Sequence, residues 1–294
     1  MIEDENLEKR FWIRQHHRGP VGALRDLVTR RGREVRAVDG VSFRVAAGEM
    51  VGYIGPSGGG KSTTVKMLTG ILVPSGGRGT VAGLVPWRQR RSLARHIGAV
   101  FGQRTQLWWD LSLVESLTLL RHIYRVPETR FTTNLKVFRD LLDLDAFLDT
   151  PVRQLSLGQR MRGDLAAALL HDPDILYLDE PTIGLDVVAK QRIRDFLRRL
   201  NQERALTVLL TTHDMTDIAQ LCQRMLLIDH GRLLYDGAVA AIRDRFGVER
   251  TLLVDLAEDE VLAGPVDVGR PRRYGPTVHA AGCAFGATRS PPPN

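Results

Sequence analysis

The chain contains 294 residues, of which 43% are hydrophobic and 26% charged, the composition of an ordinary folded protein. Its net charge of +7 and its pI near 9.8 permit nucleic acid or an anionic membrane surface as a neighbour, without selecting between them. Cys222 and Cys283 are too few for a disulfide framework, and they lack metal-ligand spacing. No apolar run approaches the ~18 to 20 residues that span a bilayer, and the acidic start lacks the pattern of a signal peptide. Any membrane role is therefore expected to come through a partner.

The first 34 residues are polar and basic, and we expect residues 1–34 to form an N-terminal arm. Phe11 and Trp12 are isolated apolar points in it, so the arm is either amphipathic or packed onto the domain that follows. Residues 41–45 then alternate apolar and polar side chains, a pattern that predicts a half-exposed strand.

A short apolar run, Met50–Ile54, predicts a strand that is buried on both faces of a parallel sheet. Residues 55–62 then fit the pattern G-x-x-x-x-G-K-[ST], in which glycines let backbone N–H groups point at phosphate oxygens. Lys61 adds positive charge for the β- and γ-phosphates, and the Ser62 hydroxyl is a ligand for Mg²⁺. A flexible turn before a lysine is the bland alternative, and the flanking strand and helix patterns disfavour it. The phosphate loop so predicted comprises Gly55, Pro56, Ser57, Gly58, Gly59, Gly60, Lys61, Ser62 and Thr63.

The remaining elements alternate between strands and helices, which predicts an α/β core with its motifs at strand carboxyl ends. Strands are predicted at residues 80–84 (after a turn at Gly76-Gly77), 97–101, 175–178 and 206–210, with a hairpin of 225–228 and 232–235. A leucine-rich helical pattern at 107–148 predicts an inserted helical subdomain, and further helices are predicted after Gln159 and around 193–200. Periodicity then fades, so residues 247–294 are predicted to be a partly disordered C-terminal extension.

Two acidic residues follow the strand predicted at 175–178. Asp179 would hold Mg²⁺, directly or through water, if that strand delivers it beside the phosphate loop. Glu180 would then accept a proton from an attacking water as a general base. A lone Asp-Glu pair more commonly caps a helix or forms a salt bridge, and only its position at a strand end favours the catalytic interpretation.

Five motifs in order make the chain resemble the ATP-binding cassette (ABC) transporter ATPases. They are the phosphate loop, Gln103, Leu155-Ser156-Leu157-Gly158-Gln159, the run 178–181 with Gly184-Leu185-Asp186, and His213. The resemblance implies an α/β fold: a phosphate-loop NTPase core with a mixed sheet, an antiparallel β subdomain and an inserted helical subdomain at about 104–157. It implies that the cassette spans residues 35–246. The run 101–110 also resembles one subgroup, which is paired with ABC-2-type membrane subunits.

The resemblance further implies a role for each matching position. Lys61 and Ser62 bind phosphates and Mg²⁺, Gln103 senses the metal or the attacking water, Glu180 is the base, and His213 contacts the γ-phosphate of ATP. Ser156, Gly158 and Gln159 contact the ATP bound to a second cassette, and Asp186 communicates across the dimer. Taken singly, Gln103 is as well explained as a turn residue, Ser156 as a helix cap and His213 as a loop histidine.

Two departures from the family pattern affect these expectations. Leu157 stands where the family commonly has glycine. The aromatic residue that stacks on adenine aligns with Gly32, so either stacking is absent or the guanidinium of Arg31 or Arg33 covers the base.

The expected protein is an ATPase subunit that drives transport, with export favoured, through a separate membrane permease of the ABC-2 type. With one signature per chain, it would pair head to tail with a second copy or a related chain, at the cytoplasmic face of the cell membrane. Trp108 and Trp109 lie either toward the permease or in the core.

The rival interpretation of the function is a soluble cassette ATPase acting on nucleic acid or ribosomes, a class that usually carries two cassettes per chain. A non-hydrolysing regulatory module is disfavoured because Glu180 and His213 are both present.

Overall fold

The computed structural model describes residues 1–14, 32–102, 104–245, 252–254 and 278–280. Its strands are β1 (Ile2–Arg14), β2 (Gly32–Val45), β3 (Met50–Ile54), β4 (Gly76–Val81), β5 (Ile97–Phe101), β6 (Ile175–Asp179), β7 (Thr207–Thr211), β8 (Arg224–Asp229), β9 (Arg232–Ala238), β10 (Leu252–Val254) and β11 (Val278–Ala280). Its helices are α1 (Lys61–Leu68), α2 (Arg90–Leu93), α3 (Leu113–Tyr124), α4 (Glu128–Leu142), α5 (Leu157–Leu169), α6 (Val187–Arg204), α7 (Met215–Leu221) and α8 (Val239–Arg245). The chain divides into two compact units, residues 1–237 and 238–294.

A six-stranded sheet forms the centre of the first unit, with the strand order β5-β6-β7-β3-β8-β9. The interior strands β3 and β7 are buried along their whole length, as expected of apolar runs covered on both faces. Strands β5, β6, β7, β3 and β8 run parallel, with Asp179 and Tyr53 both opposite Thr211. Because parallel strands end at the same edge, the segments that follow β3, β6 and β7 leave the sheet side by side.

A second, antiparallel sheet has the order β2-β1-β4. Residues 2–14 are a strand of this sheet, which agrees with the alternative that this segment packs onto the domain and not with an amphipathic arm. Strand β1 pairs with β2 from Ile2 opposite Val45 onward. The half-exposed strand expected at 41–45 is the end of the longer β2.

The strand predicted at 80–84 begins earlier than expected, as β4. Gly76 and Gly77 lie inside this strand and not in a turn before it. The β1–β4 register shifts between Glu5 and Glu8, opposite these glycines. A side chain at Gly77 would place its Cβ 2.1 Å from the Asn6 carbonyl oxygen, and its φ is 82°. The glycines thus allow β4 to approach β1 closely at an irregularity of their ladder. In the sequence, such a pair of glycines looks the same as a turn signal.

A hydrophobic core cluster lies between the two sheets and α1. It includes Ile2 and Phe43 from the antiparallel sheet, Tyr53 from β3 and Met67 from α1, all of them buried. The Phe43 and Tyr53 rings pack 5.8 Å apart, so aromatic contact directly links the two sheets. This packing holds β2 beside the end of β3, where the phosphate loop begins.

The helical pattern expected after β5 is confirmed by α3 and α4, which lie between β5 and α5 in the chain. Helix α3 begins at Ser112, which forms a reciprocal capping box with Glu115. A Cβ at Gly163 would lie 2.9 Å from the Leu113 side chain, so glycine lets α5 approach α3 closely. The hairpin predicted from the apolar runs is confirmed by β8 and β9.

The second unit contains α8 and the antiparallel pair of β10 and β11, with Leu252 opposite Ala280. The extension expected at 247–294 falls in this unit. Apart from β10 and β11, it lies outside the described residues.

Candidate functional site

The phosphate loop connects the buried strand β3 to helix α1. Helix α1 begins after Gly60, whose φ of 109° is accessible mainly to glycine. A side chain there would also collide with β2, because its Cβ would lie 2.5 Å from the Ala37 carbonyl oxygen. The second sheet therefore abuts the loop, and the glycine at the end of G-x-x-x-x-G is required by sterics.

Lys61 is the first residue of α1 and is nearly buried. Its ammonium donates hydrogen bonds to the carbonyl oxygens of Gly55 (2.7 Å) and Pro56 (3.0 Å). The positive charge therefore lies within the turn, at the N-terminus of a helix whose dipole also favours an anion.

Three oxygen-bearing side chains meet where β3, β6 and β7 end. Ser62 Oγ donates to Asp179 Oδ1 at 3.1 Å, and Thr211 Oγ1 donates to the same oxygen at 2.5 Å. The expectation that β6 delivers Asp179 to the phosphate loop is met by this geometry. A hydroxyl and a carboxylate suit the hard cation Mg²⁺, whose other ligands are commonly water and phosphate oxygens. Among the described residues, no group of three or more His, Cys, Asp or Glu side chains is arranged to hold a metal ion unaided.

Glu180 follows Asp179 in a left-handed backbone conformation, with φ 55°. Its N–H donates to the carbonyl (3.0 Å) and hydroxyl (3.2 Å) oxygens of Thr211. His213 Nδ1 lies 3.6 Å from Glu180 Oε1, and the imidazole is 62% exposed. The segments that follow β6 and β7 thus bring an acid and a histidine close together beyond the strand ends.

A cavity of about 470 Å³ opens at this edge. The phosphate loop, Asp179 and Glu180 line it together, and Arg104 and Gly102 line it from either side of Gln103. Gln103 itself lies outside the described residues. The cavity therefore joins the predicted phosphate, metal and base positions in one open space.

The signature residues and Asp186 do not line this cavity. Ser156 caps α5 in a capping box with Gln159: Gln159 N–H donates to Ser156 Oγ, and Ser156 N–H donates to Gln159 Oε1. A Cβ at Gly158 would lie 3.6 Å from Ala189, and Asp186 caps α6 by accepting from the Ala189 N–H. The signature and Asp186 thus form a second cluster in the same chain, apart from the phosphate loop.

Asp164, on α5, attaches the segment after Gln103 to the signature helix. Its Oδ1 accepts hydrogen bonds from Thr105 Oγ1 (2.9 Å) and Gln106 N–H (3.0 Å). Burial raises the pKa of Asp164 to about 6, against the opposing effect of these donors and of Arg160. One carboxyl group therefore links the segment that follows Gln103 to α5.

The assignment of the adenine-facing position to Gly32 is not supported by the strand register. Gly32 lies opposite Arg14 at the far end of the β1–β2 ladder, five residues from Ala37, which contacts the phosphate loop. Phe11 lies opposite Val35, only two residues from Ala37. Arg31 lies outside the described residues, and Arg33 is at the same far end as Gly32.

Two threonines at the site were not predicted from the sequence. Thr211 holds both Asp179 and Glu180, and Thr182 donates a hydrogen bond to Asp217. The available signal was position, since Thr211 ends a strand adjacent to β6. Hydroxyl residues at such ends are natural partners for a neighbouring carboxylate.

A larger cavity, of about 640 Å³, lies at the opposite edge of the sheet, near Asp174 and Thr207. Both arginines in its lining, Arg130 and Arg204, pair with Asp172. Its charges are therefore satisfied within the protein, whereas the smaller cavity has the residues suited to phosphate and metal.

Comparison with known proteins agrees with this geometry. The family described as ABC transporter matches residues 38–183. The Nod factor export ATP-binding protein I of Paraburkholderia xenovorans is 37% identical over 217 residues, covering 74% of this chain and 71% of that protein. The ABC transporter ATP-binding protein NatA of Bacillus subtilis is 32% identical over 208 residues, covering 71% and 84%.

Solved structures show the same fold. A dimeric ATP-binding cassette in a post-hydrolysis state, bound to ADP and Pi, matches with a TM-score of 0.67 at 25% identity. The match covers 81% of this chain and 99% of that one. The ATP-binding subunit of an ABC transporter matches with a TM-score of 0.69 at 25% identity, covering 84% and 93%. The mixed sheet, the antiparallel sheet and the inserted helices are therefore those of an ABC cassette.

The family is shown by the relatives, which are 32% and 37% identical over more than two thirds of their length, and by the fold shared with the solved cassettes. The chain belongs to the ATP-binding subunits of ABC transporters, ATPases that hydrolyse ATP to drive transport and work with membrane permeases.

Proposed function

We propose that the chain powers export through an ABC-2-type permease at the cytoplasmic face of the cell membrane, and that Glu180 is its catalytic base. The observation that carries the catalytic assignment is the convergence of Ser62, Asp179, Glu180 and His213 at the end of adjacent strands. Export is favoured because the relatives include proteins named for Nod factor export.

The residues that converge at these strand ends have distinct tasks in hydrolysis. Lys61 and the loop N–H groups bind the β- and γ-phosphates of ATP, and Ser62 and Asp179 hold Mg²⁺. The cation supplies charge neutralisation on the phosphate oxygens when bound. Glu180 accepts the proton of the attacking water, and His213 contacts the γ-phosphate.

The signature cluster requires a second cassette. Ser156, Gly158, Gln159 and Asp186 do not line the cavity of their own chain, so a head-to-tail partner would bring its signature to the phosphates. That partner is a second copy or a related chain. A dimeric cassette with ADP and Pi is among the similar solved structures, which supports this arrangement.

We place the permease contact on the helical subdomain. Trp108 is 38% and Trp109 54% exposed, so these side chains are not core residues as one alternative expected; Arg160 lies over the Trp109 ring at 5.6 Å. Leu119 and Ile123 on α3 are also exposed. The segment that carries the tryptophans is attached to α5 through Asp164, so movement at the cavity would be transmitted to this surface. Among the described residues, no helix combines the length and apolarity needed to cross a bilayer.

Phe11 is the proposed adenine-stacking residue. It is partly exposed and lies beside the part of β2 that contacts Gly60. An aromatic ring at this position on β1, beside the phosphate loop, would cover the adenine base while the phosphates of ATP occupy the cavity.

The rival class, a soluble cassette acting on nucleic acid or ribosomes, is disfavoured by the relatives, which are transporter subunits. Purification with membranes tests whether the chain works with a permease. The chain should co-purify with a polytopic membrane protein from its own organism.

Glu180→Gln tests the catalytic base directly. Because the amide cannot accept the water proton, turnover should fall by about a hundredfold or more, while ATP affinity stays within a few-fold. ATP-bound dimer should accumulate in size-exclusion chromatography. Glu203→Gln, at an exposed ion pair on α6, is the control and should leave turnover unchanged. Undiminished hydrolysis by Glu180→Gln would refute the assignment.

A further inference from the structure

A buried ion pair lies behind the candidate base and the γ-phosphate contact. Arg194 on α6 donates to Asp217 Oδ1 on α7 from Nε (2.8 Å) and Nη2 (2.5 Å). The Asp217 side chain is fully buried and that of Arg194 nearly so. Both charges have thus left water, and each depends on the other for compensation.

The second oxygen of Asp217 receives two hydroxyl groups from the catalytic segments. Thr182 Oγ1 donates to Asp217 Oδ2 at 2.5 Å, and Thr212 Oγ1 donates to it at 3.4 Å. Thr182 lies two residues after Glu180, and Thr212 directly precedes His213. One carboxylate therefore holds the segments that carry both proposed catalytic side chains.

The two segments need such support for different reasons. Glu180 has φ 55°, a conformation that residues with a Cβ rarely adopt and that persists only where its surroundings hold it. The His213 side chain is largely exposed, so its position depends on its backbone. The Thr212 hydroxyl also accepts from the Asp214 N–H at 3.0 Å, which fastens the chain on both sides of His213.

We propose that Asp217, oriented by Arg194, is a positioning residue for ATP hydrolysis that sets Glu180 and His213 relative to each other through Thr182 and Thr212. The inference rests on the roles proposed for Glu180 and His213. It assigns a shared support to two motifs that are separated by 33 residues in sequence and belong to different strand ends.

Helix α6 carries both Arg194 of this ion pair and, at its N-terminus, Asp186, the residue predicted to communicate across the dimer. Asp186 caps α6 at its first turn, and Arg194 lies two turns further along the same helix. The ion pair therefore also connects the catalytic segments to the helix that begins at the predicted dimer-communicating residue.

Thr182→Val is the most direct test, because valine keeps the β-branched shape and removes only the hydroxyl. We expect kcat to fall about tenfold, since small displacements of catalytic groups carry rate losses of this order or more. The KM for ATP should change less than about twofold, because the phosphate loop is untouched. Thr182→Ser restores the hydroxyl and should recover at least about half of kcat.

Two further variants separate positioning from general stability. Thr212→Val removes the longer hydrogen bond and should lower kcat by a smaller factor than Thr182→Val. Arg199→Ala breaks an exposed ion pair on the same helix α6 and should leave kcat unchanged. If Thr182→Val fails to fold, the kcat values of Thr212→Val and Thr182→Ser are compared with that of the wild type instead.

The proposal is overturned if folded Thr182→Val, or Thr212→Val in its place, retains the wild-type kcat. It is also overturned if Thr182→Ser loses as much kcat as Thr182→Val, because a structural loss of volume would then explain both. Glu180→Gln distinguishes this failure from that of the proposed function: loss of hydrolysis there, with unchanged kcat in Thr182→Val, would refute only the positioning role.

Discussion

Replacing Asp4 by asparagine should stabilise the protein at neutral and alkaline pH. Asp4 lies on β1, facing the core between the two sheets, and is 3% exposed. Neither of its carboxyl oxygens meets a hydrogen-bond donor in the described part of the chain, and the same holds for the nearby Tyr177 hydroxyl. Burial therefore raises the pKa of Asp4 from 3.8 to about 8.

The direction of the effect follows from proton linkage. Between pH 4 and pH 8 the folded protein keeps the Asp4 proton and the unfolded chain releases it, so stability falls as pH rises. The stability that the Asp4 proton contributes is fully present below the pKa of Asp4 in the unfolded chain. It is lost as pH rises through the pKa of Asp4 in the folded protein. At about 1.4 kcal/mol per pH unit, the folded protein at pH 7 is destabilised by about 4 kcal/mol relative to acid.

Asparagine has nearly the shape of a protonated aspartate but does not titrate. Urea unfolding of wild type and Asp4→Asn at pH 5.5, 7.0 and 8.5 should therefore show a growing difference. The free energy of unfolding of wild type should drop by about 3 kcal/mol relative to the variant across this range.

Glu5→Gln, on the same strand but exposed, is the matched control and should change little with pH. Parallel pH dependences for wild type and Asp4→Asn would refute the reasoning. They would show that Asp4 is ionised in the folded state, with a compensating group or water in the core.

Four other substitutions, at three positions, test further parts of the structure. Phe11→Ala should weaken ATP binding by about tenfold if the ring stacks on adenine, and Phe11→Trp should retain affinity, both measured with a fluorescent ATP analogue. Asp164→Asn should remove a titration near pH 6, so that its stability relative to wild type rises by up to about 3 kcal/mol from pH 4 to 7 in urea unfolding. Gly98→Ala places a Cβ 2.3 Å from the Ala168 carbonyl oxygen and should destabilise by about 1–3 kcal/mol in thermal unfolding.

The interior of the parallel sheet was predictable because its signal is local. A strand such as β3 is an uninterrupted apolar run, and the phosphate loop that follows is a contiguous set of residue types with one backbone geometry. Asp179 was predictable in the same way, as the first acid after an apolar strand. The alternation of strands and helices then indicated the α/β core.

The strands of the antiparallel sheet were less predictable because their partners lie far away in sequence. Polar residues in β1 resemble a solvated arm until β2 and β4 pair with them, and Gly76 and Gly77 resemble a turn until the register of β1 explains their contacts. The position of Phe11 relative to the phosphate loop was not predictable for the same reason. Its relation to the phosphate loop passes through Val35 and Ala37 on the neighbouring strand.

By itself the sequence predicted a phosphate loop with acidic residues beside it, and it carried the ordered motifs of one family. Only the tertiary structure decided that Thr211 holds Asp179, that Asp217 holds the segments of Glu180 and His213, and that the signature cluster lies away from the cavity of its own chain. The physical reason is that motifs are set by short-range backbone geometry. Support between motifs depends on side chains that meet only after the sheet and helices have packed.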